Sequence, residues 1–369
     1  MPCCVVGQAR GIVLAEAAPP LCPHRVPRHR WRRVRRSGAC AHVAERLRCE
    51  TSQHARRRIW VERFGRRRAK PVGAAVTVII SYSGGLTSFE AGRRAMELYG
   101  RDAVEWWFCD TRAEDPDLYR FSAAVERLLG IEIRVLTSEK IANAPKAPPG
   151  AALWDLFDAQ GMIANTRADF CSRILKRELF RRTLEEECDP DSTAVVIGMD
   201  NILDCDRIER TRALFRATHD RKGRRIWRHP WDTWFPLTEE PIRFKDEIAA
   251  WLGDRGIAQP RLYDEGAPHN NCAGFCVKAG FGQFAWLYRT RPELYAYHAD
   301  RERMFRARVG KNVSILRDRR GGDVKPLTLD RLRERIEAGE HFPMRETASC
   351  DCFSPSPQMD MFDMLGGAA

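Results

Sequence analysis

The sequence has no apolar run approaching the roughly 18 residues that a membrane span needs, which excludes a membrane helix by length alone. No apolar core precedes a small-residue cleavage site near the N-terminus, so no signal peptide is evident. These absences predict a cytoplasmic chain. They also argue against a disulfide scaffold, although 13 cysteines are present. Internal repeats are lacking as well, which removes solenoid architectures. Most of the chain lacks an excess of either charge. The net +12 at first suggests nucleic acid. Residues 1–75, however, hold 18 of the 62 Lys/Arg and 4 of the 50 Asp/Glu, a net +14 against −2 for the remainder.

The basicity therefore belongs to an N-terminal extension, residues 1–74, rich in Arg (Arg32, Arg33, Arg56, Arg57, Arg66 and Arg67 among them) and poor in apolar periodicity. It reads either as a disordered nucleic-acid-binding arm or as sequence upstream of the true start. The second reading is preferred, because the folded pattern begins at about Val76 and a valine codon at Val72 or Val76 can serve as initiator. Residues 1–72 are accordingly expected to be dispensable for folding. At 369 residues the chain can hold one large or two small domains.

The organising stretch is 74–88. A β-branched run, Val76 to Ile80, reads as a buried strand. It leads into Ser83-Gly84-Gly85-Leu86-Thr87-Ser88, and Phe89 to Leu98 reads as a helix. Strand, glycine turn and helix start make an anion site: glycines let backbone approach a phosphate, and free N–H groups and the helix dipole favour negative charge. No Gly-Lys-Ser/Thr follows at the Walker A spacing.

From there strand and helix patterns alternate. Strands are expected at Val104–Cys109, Ile131–Leu136 and Ala194–Ile197. Helices are expected at Asp117–Leu129, with Tyr119, Ala123, Val125 and Leu128 inward, and at Ser172–Glu187. Residues 142–150 read as a Pro-rich loop. Such alternation predicts an α/β fold with a doubly wound, mainly parallel sheet, helices on both faces and ligands beyond the carboxyl ends of the strands. The loop 83–88, Asp110 and Asp200 fall there. Later segments, 243–252, 284–308 and 327–338, read as helices, and 345–369 as an irregular tail.

The loop resembles the pyrophosphate loop of the nucleotide α-hydrolases. The chain from about 76 to 282 is similar to the phosphoadenosine-phosphosulfate (PAPS) reductase-like branch of that superfamily, especially bacterial and phage versions. Six ordered segments carry the likeness: the loop; Phe108-Cys109-Asp110-Thr111 with Glu114-Asp115-Pro116; Cys171-Ser172-Arg173-Ile174-Leu175-Lys176; Gly198-Met199-Asp200 with Arg207 and Arg210; Pro236-Leu237 with Gly256-Ile257 through Pro260-Arg261-Leu262-Tyr263; and the block His269 to Lys278. The division this implies is a nucleotide α-hydrolase-like domain at 75–282, a helical region at 283–345 and a Cys-containing tail at 346–369.

The residues carry their own chemistry. Loop backbone, Lys176 and Arg173 are candidate donors to a phosphate-rich adenine nucleotide, with Arg207 and Arg210 weaker. Asp110 could hold a ribose hydroxyl or a Mg²⁺ ion. Cys272 and Cys276 sit four apart in a Gly/Asn-rich turn, where both thiolates can face one centre. The resemblance implies that Cys171, Cys272 and Cys276 are ligands of a [4Fe–4S] cluster, with zinc or no metal as the alternatives. A single Cys stands where the reductase pattern has a tandem pair, which leaves the fourth ligand open to Cys350 or Cys352. Either tail Cys could instead be a mobile catalytic thiol. Two enzyme classes follow from the resemblance. One is ATP-dependent sulfur transfer, drawing on a sulfur donor and with tRNA or DNA among the family's acceptors. The other is reduction of an adenylyl sulfate by a thiol reductant. Cys350-Asp351-Cys352-Phe353 lacks the Gly and downstream His of the reductase tail. A nucleotide-sensing or nucleic-acid-binding protein without turnover is the non-enzymatic alternative.

Overall fold

A computed structural model describes residues 76–166, 168–199, 205–220, 223–320 and 323–344. The extension, Asp200 and the tail with Cys350 and Cys352 lie outside the described residues.

The β-branched run forms β1 (Thr77–Tyr82), which starts one residue later than expected and runs two residues past Ile80, with Ser81 and Tyr82 buried as well. β2 (Val104–Asp110), β3 (Ile133–Thr137), β4 (Thr193–Ile197) and β5 (Asp232–Trp234) join it in a five-stranded sheet of order β3-β2-β1-β4-β5. Every pairing is parallel, with Val78 opposite Val104 and Ala194. Strands that run parallel must be linked by crossovers, and helices supply them: α1 (Leu86–Tyr99), α2 (Pro116–Leu129), α3 (Ala151–Gln160), α4 (Glu178–Glu187) and α5 (Cys205–Arg216). The fold is thus the doubly wound α/β arrangement expected. Adjacent tryptophans on β2 show the two-faced burial. Trp106 packs edge-on to Tyr82, whereas Trp107 meets Phe180 of α4.

The strand order reverses between β1 and β4, and the crevice outside their carboxyl ends is where such sheets bind ligands. Gly198, just beyond β4, forms one wall of that crevice. A Cβ there would stand 2.6 Å from the Ser88 Cα and the Thr87 carbonyl, so a side chain would force β4 away from α1.

The remaining elements are α6 (Lys245–Gly253), the short turn α7 (Arg261–Asp264), α8 (Phe281–Thr290), α9 (Pro292–Val309), a hairpin of β6 (Leu316–Asp318) and β7 (Lys325–Leu327), and α10 (Leu329–Glu337). The single helix expected at 284–308 is two, broken at Arg291, where Pro292 opens the second. α10 begins later than expected, with the Thr328 side chain accepting from the Arg331 amide as N-cap. α3, α5, β5 and the hairpin were not expected. In α2 the buried residues are Leu118, Phe121, Ala124 and Val125, so the inward face is rotated from the one predicted. Tyr119 instead turns its hydroxyl to Asp110. Side chains of α3, the 262–287 segment, α9 and α10 share one hydrophobic cluster that includes Trp154, Phe275, Tyr295 and Leu332.

Candidate functional site: a glycine loop beside a three-thiol turn

Gly84 takes φ +74°, a conformation that favours glycine, and turns the chain from β1 into α1. Gly85 is the N-cap of α1 and has no side chain to satisfy the first amides; that of Leu86 faces the Tyr263 hydroxyl, and those of Thr87 and Ser88 point to where a ligand would lie. Ser88 braces the turn internally: its Oγ donates to the Gly85 carbonyl at 3.0 Å and accepts from the Ser83 amide at 3.1 Å. The Ser83 hydroxyl also donates to Ser88 Oγ at 3.1 Å. Leu86 and Ser88 are buried, Thr87 half-buried and Ser83 exposed. Ser88 is therefore a brace of the loop, and Ser83 is its outward hydroxyl.

Asp110, at the end of β2, is fixed from three sides. Oδ1 accepts from the Tyr119 hydroxyl at 2.9 Å and the Arg112 amide at 2.8 Å, and Lys146 stands 3.4 Å from Oδ2. A Mg²⁺ ion at Asp110 would compete with Lys146, so an acceptor role toward a hydroxyl suits this carboxylate better.

A buried ion pair lies next to it. The Lys176 ammonium is 3.4 Å from Glu114 Oε1, which also accepts from the Thr111 hydroxyl at 2.9 Å. Glu114 Oε2 accepts the Cys272 amide at 2.5 Å. One buried carboxylate thus joins the lysine to the cysteine turn. Burial opposes the charge on Lys176, but Glu114 and the thiols of Cys272, Cys109 and Cys276 outweigh it, and the ammonium is held more firmly than an ordinary lysine. Lys176 lies in a π-helical stretch, Arg173–Arg177, between the turn Phe170–Ser172 and α4. Such bulges re-aim side chains inside a helix. The one continuous helix expected from Ser172 is interrupted for this reason.

Cys171, Cys272 and Cys276 are free thiols, the first and last buried. Burial pushes the Cys171 thiol up to about 12, with further contributions from Cys276 and Asp169. Cys272 is raised well above the ordinary thiol range by burial and then Glu114, with Cys276 and Cys171 adding and Lys176 opposing. Cys276 is raised by burial, partly offset by the Lys278 and Ala279 amides and by the charges of Lys278 and Lys176. The three thiols are therefore within electrostatic reach of one another. Cys272 and Ala273 have φ of 49° and 50°, a left-handed backbone that costs non-glycine residues about 1–3 kcal/mol each and persists only when over-determined. Part of that determination is Asp169, which holds Arg177 at 2.9 Å and Lys278 at 3.1 Å and so ties the Cys171 segment to the one after Cys276.

The donor set is all thiol with cations beside it, which suits a thiophilic centre. Among the described residues, however, no group of three or more His, Cys, Asp or Glu side chains is arranged to hold a metal ion. No helix of the described residues is long and apolar enough to cross a membrane.

Of the weaker candidates, Arg173 pairs with Glu178 at 2.7 Å on an open helix face, Arg207 is half-buried on α5, and Arg210 is exposed. Sequence reasoning missed the roles of Glu114, Thr111, Asn270 and Asp169. Glu114 had a signal in its spacing, four residues after Asp110 at a strand end. Asn270 had none, because its partner is remote. Its side-chain amide donates to the Gly84 carbonyl at 2.9 Å, which fastens the turn bearing Cys272 and Cys276 to the glycine loop.

No protein-family model matches the chain, and no curated protein matches it. Among solved structures it is similar to the phosphate complex of a phosphoadenylyl-sulfate (PAPS) reductase from Candida auris. The identity is 15% and the TM-score 0.33, over 54% of this chain and 79% of that one. Likeness at that level carries no chemistry across, so function has to be argued from this chain's own residues.

Proposed function

We propose that the protein is a PAPS reductase-like enzyme that binds an adenine nucleotide, ATP or an adenylyl sulfate, at the 83–88 loop and performs sulfur chemistry beside it. The observation that carries this reading is the Asn270–Gly84 hydrogen bond, because it sets the thiol turn against the phosphate-type loop. The open amides of α1 receive phosphate oxygens, Lys176 offsets their charge, and Asp110 accepts a ribose hydroxyl.

ATP-dependent sulfur transfer is the finer reading. ATP cleaved between its α and β phosphates would adenylylate the acceptor and release pyrophosphate, and sulfide-level sulfur from a separate donor would then displace AMP from the activated centre. Cys171, Cys272 and Cys276 would hold a [4Fe–4S] cluster by three thiolates, which would leave its fourth iron open. That cluster would supply an iron able to carry sulfur. The burial that keeps these thiols protonated without metal would be overcome by ligation, which deprotonates them. Anaerobically purified protein incubated with ATP, a candidate acceptor and sulfide as sulfur donor should release pyrophosphate and AMP. Sulfite released from an adenylyl sulfate supplied with a dithiol reductant, which is oxidised to its disulfide, would favour the reductase reading instead. Absence of any product with nucleotide bound would leave a non-catalytic nucleotide-binding protein.

A further inference from the structure

Tyr263 lies in α7, about 180 residues beyond the glycine loop, yet its hydroxyl stands 2.9 Å from where a Cβ on Gly85 would be. No larger residue fits at position 85 without moving that hydroxyl. The phenol oxygen also lies against the backbone amides of Leu86 and Asn270. Leu86 is the first residue of α1, and Asn270 is the residue that fastens the thiol turn to Gly84. The ring is held from the other side by Lys245, whose ammonium is 5.8 Å from the ring centroid and donates to the Pro268 carbonyl at 2.7 Å.

The arrangement leaves the phenol with one unused capacity. Two backbone N–H groups face its oxygen, so the oxygen acts as an acceptor toward the protein. A hydroxyl is also a donor, and among the described residues no protein acceptor takes the Tyr263 proton. Burial pushes the phenol up to about 12, so the proton stays in place at neutral pH. A neutral O–H at the start of a helix, beside the Thr87 and Ser88 amides, is complementary to an anionic oxygen. A carboxylate or a second carbonyl there would repel it.

We infer that Tyr263 is a phosphate-binding residue, its hydroxyl donating to a nucleotide phosphate oxygen at the start of α1 and marking the junction of the glycine loop with the thiol turn. The inference rests on the nucleotide-binding reading above and adds to it a contact from a segment remote in sequence. It also gives a second physical reason for glycine at position 85: the residue must admit both the phosphate and the tyrosine.

The test is isothermal titration of the full chain and its Tyr263→Phe variant with ATP, adenosine 5′-phosphosulfate and adenosine. Phe keeps the ring and its contact with Lys245 and removes the hydroxyl, both as the donor and as the acceptor facing the Leu86 and Asn270 amides. Loss of a hydrogen bond to a charged group should weaken ATP and adenylyl-sulfate binding by about tenfold or more, with adenosine binding unchanged. Equal nucleotide affinity in the two proteins overturns the inference while leaving the nucleotide-binding reading intact. Tighter binding by the variant also overturns it, since the hydroxyl would then be an occupant that phosphate must displace. No binding by the wild-type chain overturns both. Matching melting temperatures and far-ultraviolet circular dichroism exclude misfolding as the cause of a loss.

Discussion

Asn270 donates its side-chain amide to the Gly84 carbonyl across 186 residues of sequence. Both partners are buried. The bond makes the glycine loop and the thiol turn two sides of one crevice, so damage on either side should reach the other. Asn270→Ala leaves the Gly84 carbonyl without a partner, which should cost about 1–3 kcal/mol. Nucleotide affinity should fall several-fold, because Gly84 then loses the contact that orients the loop. Thermal denaturation and titration with ATP read the two effects. A variant with unchanged melting and unchanged affinity would show that the loop holds its shape unaided.

Lys176 and Glu114 form a buried pair, and each is expensive to leave alone. Lys176→Met should destabilise by about 3–5 kcal/mol, because the Glu114 carboxylate stays behind without its cation. Adding Glu114→Gln to that variant should recover part of the loss, since Gln still accepts the Cys272 amide. Denaturant unfolding of the two single variants and the double variant gives the coupling. Strict additivity would mean that the 3.4 Å contact carries no energy.

His298 sits in the core, stacked 3.5 Å from Phe275 and accepting the Trp154 indole N–H at 2.9 Å. Burial pushes its pKa from 6.5 down to about 3. The unfolded chain therefore binds a proton on His298 at a pH where the folded chain does not. This contribution is full above pH 6.5 and is lost as pH falls from 6.5 towards 3, at up to about 1.4 kcal/mol per pH unit. Glu302 acts in the opposite sense. Burial raises its pKa from 4.5 to about 7, so its share of stability declines as pH rises through that window. The His298 share is isolated by comparison with His298→Gln, which keeps an acceptor for Trp154. The variant should melt lower than wild type at pH 7.5 and lose less on acidification to pH 5. Parallel melting curves from pH 7.5 to 5 would rule this account out.

Iron content tests the cysteine proposal. Anaerobic protein should absorb broadly near ~400 nm and carry about four iron atoms per chain, the signature of a [4Fe–4S] centre. Cys272→Ala and Cys276→Ala should lose the colour, while Cys188→Ala, half-buried and remote from the turn, should keep it. Stoichiometric zinc would reassign the site to a structural role, and metal-free protein after anaerobic reconstitution would refute the cluster.

The α/β alternation, the strand at 77–82, the glycine loop and the candidate thiols were legible in the sequence because each is a local pattern: β-branched runs, a Gly-Gly turn, cysteines four apart. α3 was missed because its apolar residues are nearly continuous and show no one-sided stripe. β5 and the β6–β7 hairpin are three-residue strands, too short to show alternation. The inward face of α2 was misread because Tyr119 has a polar use, the carboxylate of Asp110, that its aromatic ring conceals.

The sequence by itself determined where backbone could meet phosphate, since glycine's freedom at position 84 is a property of the residue. The tertiary structure alone decided what surrounds that place. Asn270, Tyr263 and Glu114 act through partners from about 60 to nearly 190 positions away. A hydrogen bond or an ion pair depends on distances of about 3 Å, and separation along the chain says nothing about such distances until the sheet has brought its strand ends together.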